Sequence, residues 1–254
     1  MAMKSLRDPP PDIQNRPMND AVPASSRSGE SKPHHAGHRE RLRARFLKGG
    51  PESLADYELL ELILFMTIPR RDVKPVAKSL IAHFGNLAAV FHASPEELKQ
   101  FGNLSENTIA SLKAVQAASF MMMRQDIIKK PVLNSWSRLI NYCQATMAHE
   151  KKENFRILFL NKKNELIADE IQQTGTVDHT PAYPREILKR TLELGATAII
   201  LVHNHPSGDP EPSTADIEMT RLIMEAARPL SIVLHDHLIV SRNGTVSMKN
   251  SGLL

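Results

Sequence analysis

The stretch HNHPSGDPEPSTAD, residues 203–216, concentrates side chains that bind metal ions. On an extended segment, residues two apart point to the same side, so His203 and His205 can converge on one ion. Pro206 stiffens the exit from the strand, and Asp216, in the first turn of the next predicted helix, can supply a third ligand. Two imidazoles, one carboxylate and one position open to water form the ligand set of a catalytic zinc site. The spacing therefore predicts one Zn²⁺ per chain and a bound water whose pKa is brought towards about 7.

The sequence around this stretch predicts the elements that position the ligands. The apolar run TAIILV, residues 197–202, leads directly into His203 and predicts a buried strand. Ser213-x-x-Asp216 predicts a capped helix that continues to about Ala227. Strands interleaved with helices predict a mixed α/β domain over residues 131–254. Its other predicted elements are helices at 136–148 and 184–194, strands at 155–160, 165–171 and 231–240, and a hairpin turn at 161–164.

The part of the chain before Pro131 predicts a different organisation. Residues 1–36 are rich in Pro, Ser and Asn, with few large apolar side chains, and this composition predicts a disordered tail. Residues 37–130 predict an all-helical domain. Its helices are expected at about 38–47, 53–65, 73–84, from 94 and at 106–128, separated by Gly and Pro signals.

Composition limits the function classes. The single cysteine, Cys143, excludes an intramolecular disulfide and a thiolate zinc cluster, so histidine and carboxylate must hold any metal. No apolar run approaches the length of a membrane span, and the N-terminus has no apolar core of a signal peptide, so we expect a cytoplasmic protein without membrane contact. The net charge of +4 is too small to indicate nucleic-acid binding by itself, and a solvated basic surface is the favoured interpretation.

The pattern H-x-H-P, with seven residues between His205 and Ser213 and two between Ser213 and Asp216, resembles the JAMM motif of MPN-type metallopeptidases. The longer string of Pro184-Arg185-Glu186, a helix, an apolar strand and HNHPSGDPEPS is similar to the bacterial RadC family, and Asp236-His237 on the last predicted strand also fits it. The resemblance covers roughly residues 38–254. It implies an MPN core, with a curved sheet flanked by helices, behind a helical domain similar to a helix-hairpin-helix module.

The resemblance implies roles for individual residues. His203, His205 and Asp216 match the zinc ligands, and Ser213 matches the serine that lies by the metal-bound water and helps to stabilise the oxyanion. The implied activity is that of a zinc-dependent hydrolase that cleaves a peptide or isopeptide-like amide in a peptide or protein substrate. The alternative is a DNA-associated repair or recombination factor that uses the MPN domain as an interaction platform.

The general base of JAMM enzymes is an upstream glutamate, for which the sequence offers two candidates. Glu170 lies on a predicted strand five residues before Gly175 and matches best, and Glu186 in the Pro-Arg-Glu helix is the rival. A carboxylate bonded to the bound water can take its proton and return it to the leaving amine.

Other polar clusters favour structural interpretations. His235 and His237 repeat the H-x-H spacing without the proline and carboxylate, which predicts a strand in which one histidine faces a hydrogen-bond partner, and Asp236 is expected to orient a neighbouring side chain. In the stretch 101–108, only Gly102 remains of the Gly-hydrophobic-Gly turn that offers amides to phosphate, and Glu106 would repel phosphate. Helical packing is favoured there, and weak nucleic-acid contact is expected instead through Arg41, Arg43 and Arg45.

Overall fold

The computed structural model describes residues 37–102, 104–128, 130–174 and 183–254, so the predicted tail, residues 1–36, lies outside the described residues. The described N-terminal part of the chain forms six α-helices. Their bounds are α1 His38–Gly49, α2 Asp56–Thr67, α3 Lys74–Phe84, α4 Leu87–His92, α5 Pro95–Phe101 and α6 Glu106–Ile127. The short helix α4 was not predicted; its first turn is capped by the Asn86 side chain, which accepts a hydrogen bond from the Ala89 amide at 2.8 Å.

The turn between α5 and α6 belongs to the core of the helical domain. Gly102 ends α5 with a φ of +85°, which glycine adopts without strain. Phe101 and Leu104, on either side, pack against the buried side chains of this domain. Ser105 caps α6 through its hydroxyl, which accepts from the Thr108 amide at 3.2 Å. These contacts agree with the helical-packing interpretation of the stretch.

The C-terminal part is built on one five-stranded sheet. Its strands are β1 Asn154–Leu160, β2 Leu166–Thr174, β3 Ala198–Asn204, β4 Val233–Ser241 and β5 Gly244–Ser247, and its helices are α7 Trp136–Met147, α8 Pro184–Glu193 and α9 Thr214–Ala227. The strand order is β2-β1-β3-β4-β5, with β3 in the centre. Only the β3–β4 pair is parallel, so the sheet is mixed. The predicted mixed α/β class is confirmed.

Strand alternation divides the interior of this domain between the two faces of the sheet. Leu158, Ile200 and Val202 face α7 and pack with Leu139 and Cys143. The intervening side chains face α8 and α9, and this second core contains Phe155, Ile157, Ile199, Leu201, Ile187 and Ile223. The odd-numbered residues of β3, including His203, therefore lie on the α8–α9 face.

The helical domain contacts the sheet domain at the segment between α7 and β1. The Lys151 ammonium forms a salt bridge with Glu97 of α5. In the same segment, the ring of His149 stacks on the ring of His92 of α4, with the ring centroids 4.3 Å apart. No helix in the described ranges is long and apolar enough to cross a membrane.

Candidate metal centre

The end of β3 and the start of α9 bring three ligand atoms together. Nε2 of His203 lies 2.9 Å from Nε2 of His205, and 3.2 Å from Oδ1 of Asp216. Nε2 of His205 lies 3.4 Å from Oδ2 of Asp216. Among the described residues, these three form the group whose ligand atoms lie close enough together to hold a metal ion. The structure therefore brings the three predicted ligands to one point.

Local structure explains why the chain returns to this point. The His205 amide still donates to the Val240 carbonyl of β4 at 2.9 Å, so the strand direction holds through the second histidine. A turn then follows, in which Gly208 has a φ of +95° and its amide bonds to the His205 carbonyl. Ser213 caps α9, with its hydroxyl 3.2 Å from the Asp216 amide. In turn, Oδ2 of Asp216 accepts from the Ser213 amide at 2.8 Å, which completes a capping box.

The donor set fits a zinc ion. Nδ1 of His205 lies 2.8 Å from the Asp209 carbonyl oxygen. A carbonyl can only accept, so Nδ1 carries a hydrogen and the Nε2 lone pair of the neutral ring is free. Zinc bonds of about 2.0–2.1 Å at tetrahedral angles place ligand atoms about 3.3 Å apart, close to the separations of 2.9–3.4 Å found here. Two histidines and a carboxylate leave one position for water.

The electrostatics of the cluster also suit a cation. Burial raises the pKa of Asp216, but contacts with His203 and His205 outweigh it, so the pKa lies well below its ordinary value. The hydrogen bond with Asp216 raises the pKa of His205 against the effect of desolvation, and the negative charge of Glu153 acts in the same direction. The carboxylate is thus ionised and faces two imidazoles at neutral pH.

The predicted Ser213 lies beside the cluster on the exposed side. Its hydroxyl is 2.7 Å from Oδ2 of Asp216, the same oxygen that the Ser213 amide contacts. In this arrangement the hydroxyl hydrogen is directed to the ligand carboxylate. Ser213 therefore fixes Asp216 at the start of α9, and its position at the mouth of the cluster is compatible with the predicted contact to substrate.

Both predicted base candidates contact arginine side chains, and among the described residues neither forms a hydrogen bond with His203, His205 or Asp216. Glu170 of β2 pairs with Ile157 of β1, which pairs with Leu201 of β3, two residues before His203. Strand spacings put the backbone of Glu170 about 12 Å from that of His203. Its carboxylate is bound by Arg190 of α8. The Glu186 side chain is half exposed and bonds to its neighbour Arg185 at 3.1 Å.

Another glutamate, Glu153, directly precedes β1 and was not among the candidates from the sequence. In the antiparallel β1–β3 pair, Phe155 lies opposite His203. Two residues earlier, Glu153 precedes β1, and continuing the register by two pairs brings it opposite His205 on the ligand face. Its negative charge raises the pKa of the His205 ring. The signal in the sequence was a carboxylate just before a β-prone run, but only the strand register shows which partner it meets.

Asn204, between the two histidines, fixes the segment that carries Glu153. It points to the opposite face, where its Oδ1 accepts from the Asn154 amide at 2.8 Å. Its Nδ2 donates to the carbonyls of Lys152 at 3.0 Å and of Glu150 at 3.3 Å. The side chain is fully buried. One residue of the motif thus holds both ends of the segment around the glutamate.

The histidines of β4 have different surroundings. His235 bonds to Oδ1 of Asn164 at 2.6 Å, in agreement with a strand histidine that faces a hydrogen-bond partner. His237 is completely buried and contacts Nδ1 of the ligand His203 at 2.8 Å. Asp236 faces away from the ligands, and its carboxylate accepts from the Ser247 hydroxyl at 2.5 Å and the Lys249 amide at 3.0 Å. Asp236 thus contacts the side chain of Ser247, a neighbour on the face away from the cluster, and it is His237 that contacts His203.

A mixed sheet whose central strand ends in H-x-H, with a carboxylate at the start of the following helix, defines a JAB domain, the fold of MPN and JAMM proteins. The family model for RadC-like JAB domains matches residues 133–253, and the UPF0758 N-terminal model matches residues 34–110. The chain belongs to the RadC family, as the sequence motifs indicated.

Proposed function

We propose that the protein is a zinc-dependent hydrolase of the JAMM metallopeptidase type that cleaves a peptide or isopeptide-like amide. The observation that carries the proposal is the convergence of His203, His205 and Asp216, whose ligand atoms all lie within 4.8 Å of one another. A domain that served only as an interaction platform would have no use for two imidazoles and a carboxylate directed at one point.

His203, His205 and Asp216 would hold the zinc ion. When bound, zinc supplies Lewis acidity and lowers the pKa of water, which provides a nucleophile at neutral pH. The ligand side chains are mostly buried, with exposed fractions of 7%, 14% and 15%, so the low-dielectric surroundings strengthen charge interactions at the cluster. The mouth of the cluster is on the side of Ser213, which is exposed, and this side would receive the substrate.

We assign the general base to Glu153. Glu153 directly precedes β1, continuing the β1–β3 register by two residue pairs would set it opposite His205, and its negative charge raises the pKa of His205. A water between this carboxylate and the cluster gives its proton to Glu153 as its oxygen attacks the amide carbon. The same carboxyl then returns the proton to the leaving nitrogen, and the C–N bond breaks. Glu170 stays the sequence-based alternative, and it would first have to leave Arg190.

Ser213 would contribute at the carbonyl oxygen of the substrate. Its hydroxyl is exposed and can turn from Oδ2 of Asp216 towards an oxyanion that develops beside it. The Ser213 amide keeps its bond of 2.8 Å to the same Asp216 oxygen, so the ligand remains anchored while the hydroxyl moves. A donor of this kind contributes about 10²–10³ in kcat in other hydrolases.

The proposal is tested by zinc analysis and a substrate screen on the full-length protein. We expect one zinc per chain in the wild type by mass spectrometry of the metal content, and loss of that zinc in Asp216→Asn. Asparagine keeps an oxygen for the capping box, so loss of zinc would report the ligand and not the helix start. The zinc-loaded protein is then screened against fluorogenic peptide amides and lysine-linked isopeptide amides, with the chelated protein as the blank.

His235→Ala is the matched control. It removes a histidine of the same spacing on a neighbouring strand, outside the ligand cluster, so zinc should remain bound. If the wild type takes up no zinc, or if Asp216→Asn and His235→Ala retain it equally, the proposal is wrong.

A further inference from the structure

A chain of hydrogen bonds joins two of the ligand residues behind the metal centre. Nδ1 of His203 lies 2.8 Å from Nε2 of His237. Nδ1 of His237 lies 2.6 Å from the Thr220 hydroxyl, and that hydroxyl lies 2.5 Å from the backbone carbonyl oxygen of Asp216. We infer that His237 and Thr220 are positioning residues that hold the hydrogen of His203 on Nδ1 and leave Nε2 free for the metal. The inference rests on the proposed metal centre and extends it.

The positions of the hydrogens in this series of hydrogen bonds follow from its last acceptor, the Asp216 carbonyl oxygen. A carbonyl oxygen only accepts, so the hydroxyl hydrogen of Thr220 lies between the two oxygens that are 2.5 Å apart. Without that hydrogen, two oxygen lone pairs would face each other at this distance. The Thr220 oxygen then accepts, and the hydrogen in its contact with His237 belongs to Nδ1 of the ring.

The same logic continues through His237 to the ligand. His237 is completely buried, and in the described part of the chain its ring bonds only to Thr220 and His203. A second hydrogen would make the ring a buried cation without a bonded carboxylate, which is costly. The neutral ring has its hydrogen on Nδ1, so Nε2 accepts from Nδ1–H of His203. The Nε2 lone pair of His203 is directed at His205 and Asp216.

The chain also fixes the two ligand-bearing elements relative to each other. His203 is on β3, His237 is on the parallel neighbour β4, and Thr220 is one helical turn after Asp216 on α9. Thr220 is fully buried. His205 has a separate anchor, the Asp209 carbonyl in the turn after β3. Each ligand histidine thus has its Nδ1–H fixed by a different partner, and both Nε2 atoms point at the same position.

The first test reads ring tautomers by ¹⁵N NMR in the metal-free, full-length protein at neutral pH. We expect His237 to carry its hydrogen on Nδ1 and to have a bare Nε2, with Nδ1 of His203 protonated. A hydrogen on Nε2 of His237 would reverse the chain and overturn the inference, because His203 would then have to carry its own hydrogen on the ligand nitrogen. This readout needs no zinc, so it stands apart from the test of the proposed function.

The second test measures zinc affinity by competition with a chromogenic chelator. Thr220→Val keeps the volume of the side chain and removes the hydroxyl, and His237→Leu removes the acceptor. Changes behind a ligand histidine typically weaken metal binding by about 10–100-fold, and we expect weakening in this range. Thr220→Ser restores the hydroxyl, and His237→Gln restores an acceptor together with a donor. Both variants should recover part of the zinc affinity.

His235→Leu is the matched control, since it removes the other histidine of the same strand. If the wild type binds zinc and both Thr220→Val and His237→Leu bind it as tightly as His235→Leu, the inference is wrong while the metal centre stands. A Thr220→Val protein that folds normally keeps this comparison meaningful even if His237→Leu does not fold. The Co²⁺ absorption spectrum adds a readout of ligand geometry that should change in Thr220→Val and return in Thr220→Ser.

Discussion

The carboxylate of Glu170 and the guanidinium of Arg190 form a salt bridge through two bonds, with Nη2 to Oε1 at 2.6 Å and Nε to Oε2 at 2.9 Å. The pair joins β2 to α8 at the edge of the sheet. The hydrogen bond from Arg190 lowers the pKa of Glu170, partly against desolvation. A carboxylate held in this way is a weak base and is directed at Arg190 instead of at the cluster of His203, His205 and Asp216. Its geometry is that of a structural residue.

Glu153→Gln and Glu170→Gln should therefore separate the two assignments of the base. Glutamine keeps the shape of the side chain but cannot take a proton, so Glu153→Gln should retain zinc and lower kcat by about two to four orders of magnitude. Glu170→Gln should leave kcat within a few-fold of the wild type. Steady-state kinetics on a substrate from the amide screen measure both. The opposite pattern would restore Glu170, and a loss confined to Glu186→Gln would point to the third candidate.

The stability of Glu170→Gln should depend on pH in a direction that the salt bridge sets. Because the folded-state pKa of Glu170 lies below its ordinary value of 4.5, the bridge stabilises the fold above that pH. This contribution is lost as the pH falls through the lowered folded-state pKa. The melting temperature of Glu170→Gln should thus be lower than that of the wild type at pH 7, with the difference shrinking below about pH 4.5. A difference that stays constant from pH 7 to pH 3 would contradict the assignment.

Asn204→Ala should lower kcat without removing zinc. The side chain makes three hydrogen bonds with the segment from Glu150 to Asn154, and none with a ligand. Its loss leaves buried backbone groups without partners, so the free energy of unfolding should fall by about 1–3 kcal/mol. Glu153 would then lie less firmly beside the cluster. Metal content, urea unfolding and kcat are measured together, and loss of zinc with kcat per bound zinc unchanged would show that Asn204 supports the ligands instead.

Zinc should stabilise the folded protein by mass action. Ligand binding to the folded state alone contributes about 2.7 kcal/mol at a free concentration of 100 times Kd. Thermal unfolding with added zinc and with chelator should therefore differ clearly for the wild type. The His203→Ala, His205→Ala double variant should melt at the same temperature under both conditions. A zinc-dependent shift in the double variant would mean that the ion binds elsewhere.

Any binding to DNA should be weak, non-specific and steeply dependent on salt. Arg41, Arg43 and Arg45 are exposed on α1, and Arg45 also contacts Glu58. Arg39 is bound to a backbone carbonyl of α2 and to two carbonyls in the following loop. Charge reversal at Arg41, Arg43 and Arg45 should reduce the slope of log affinity against log salt. Titration of labelled DNA over a range of salt measures it. Tight binding abolished by a change at Gly102 would instead revive contact through the α5–α6 turn.

The sequence predicted those parts of the site whose residues are close together in the chain. His203, His205, Ser213 and Asp216 fall within fourteen residues, and one strand, one turn and one capped helix are enough to place them. Glu153 was missed because it lies fifty residues before His203, and it becomes a candidate only when the register of β1 against β3, in which Phe155 lies opposite His203, is continued by two residue pairs. His237 was judged by its spacing to His235, but the parallel pairing of β3 with β4 decides its partner.

The same distinction holds for the fold. Long periodic helices such as α6 and α9 were predicted close to their observed bounds, because their apolar stripes and caps are local. The six-residue helix α4 and the four-residue strand β5 were missed, since elements of this length have too few positions to show a period. Helix α4 packs its buried Val90 into the core of the helical domain, and β5 forms by pairing with the preceding strand β4 across a two-residue turn.

The contact between Lys151 and Glu97 has a practical consequence for work on this protein. Lys151 is two residues from Glu153, so the helical domain forms a salt bridge with the chain close to the proposed base. Hydrogen bonding to Lys151 lowers the pKa of Glu97 to about 2, which keeps the Glu97 carboxylate ionised at neutral pH. A shortened protein that begins near Pro131 would keep every zinc ligand and still lack this outer support. Zinc content alone therefore does not show that such a fragment is suitable for kinetic measurements.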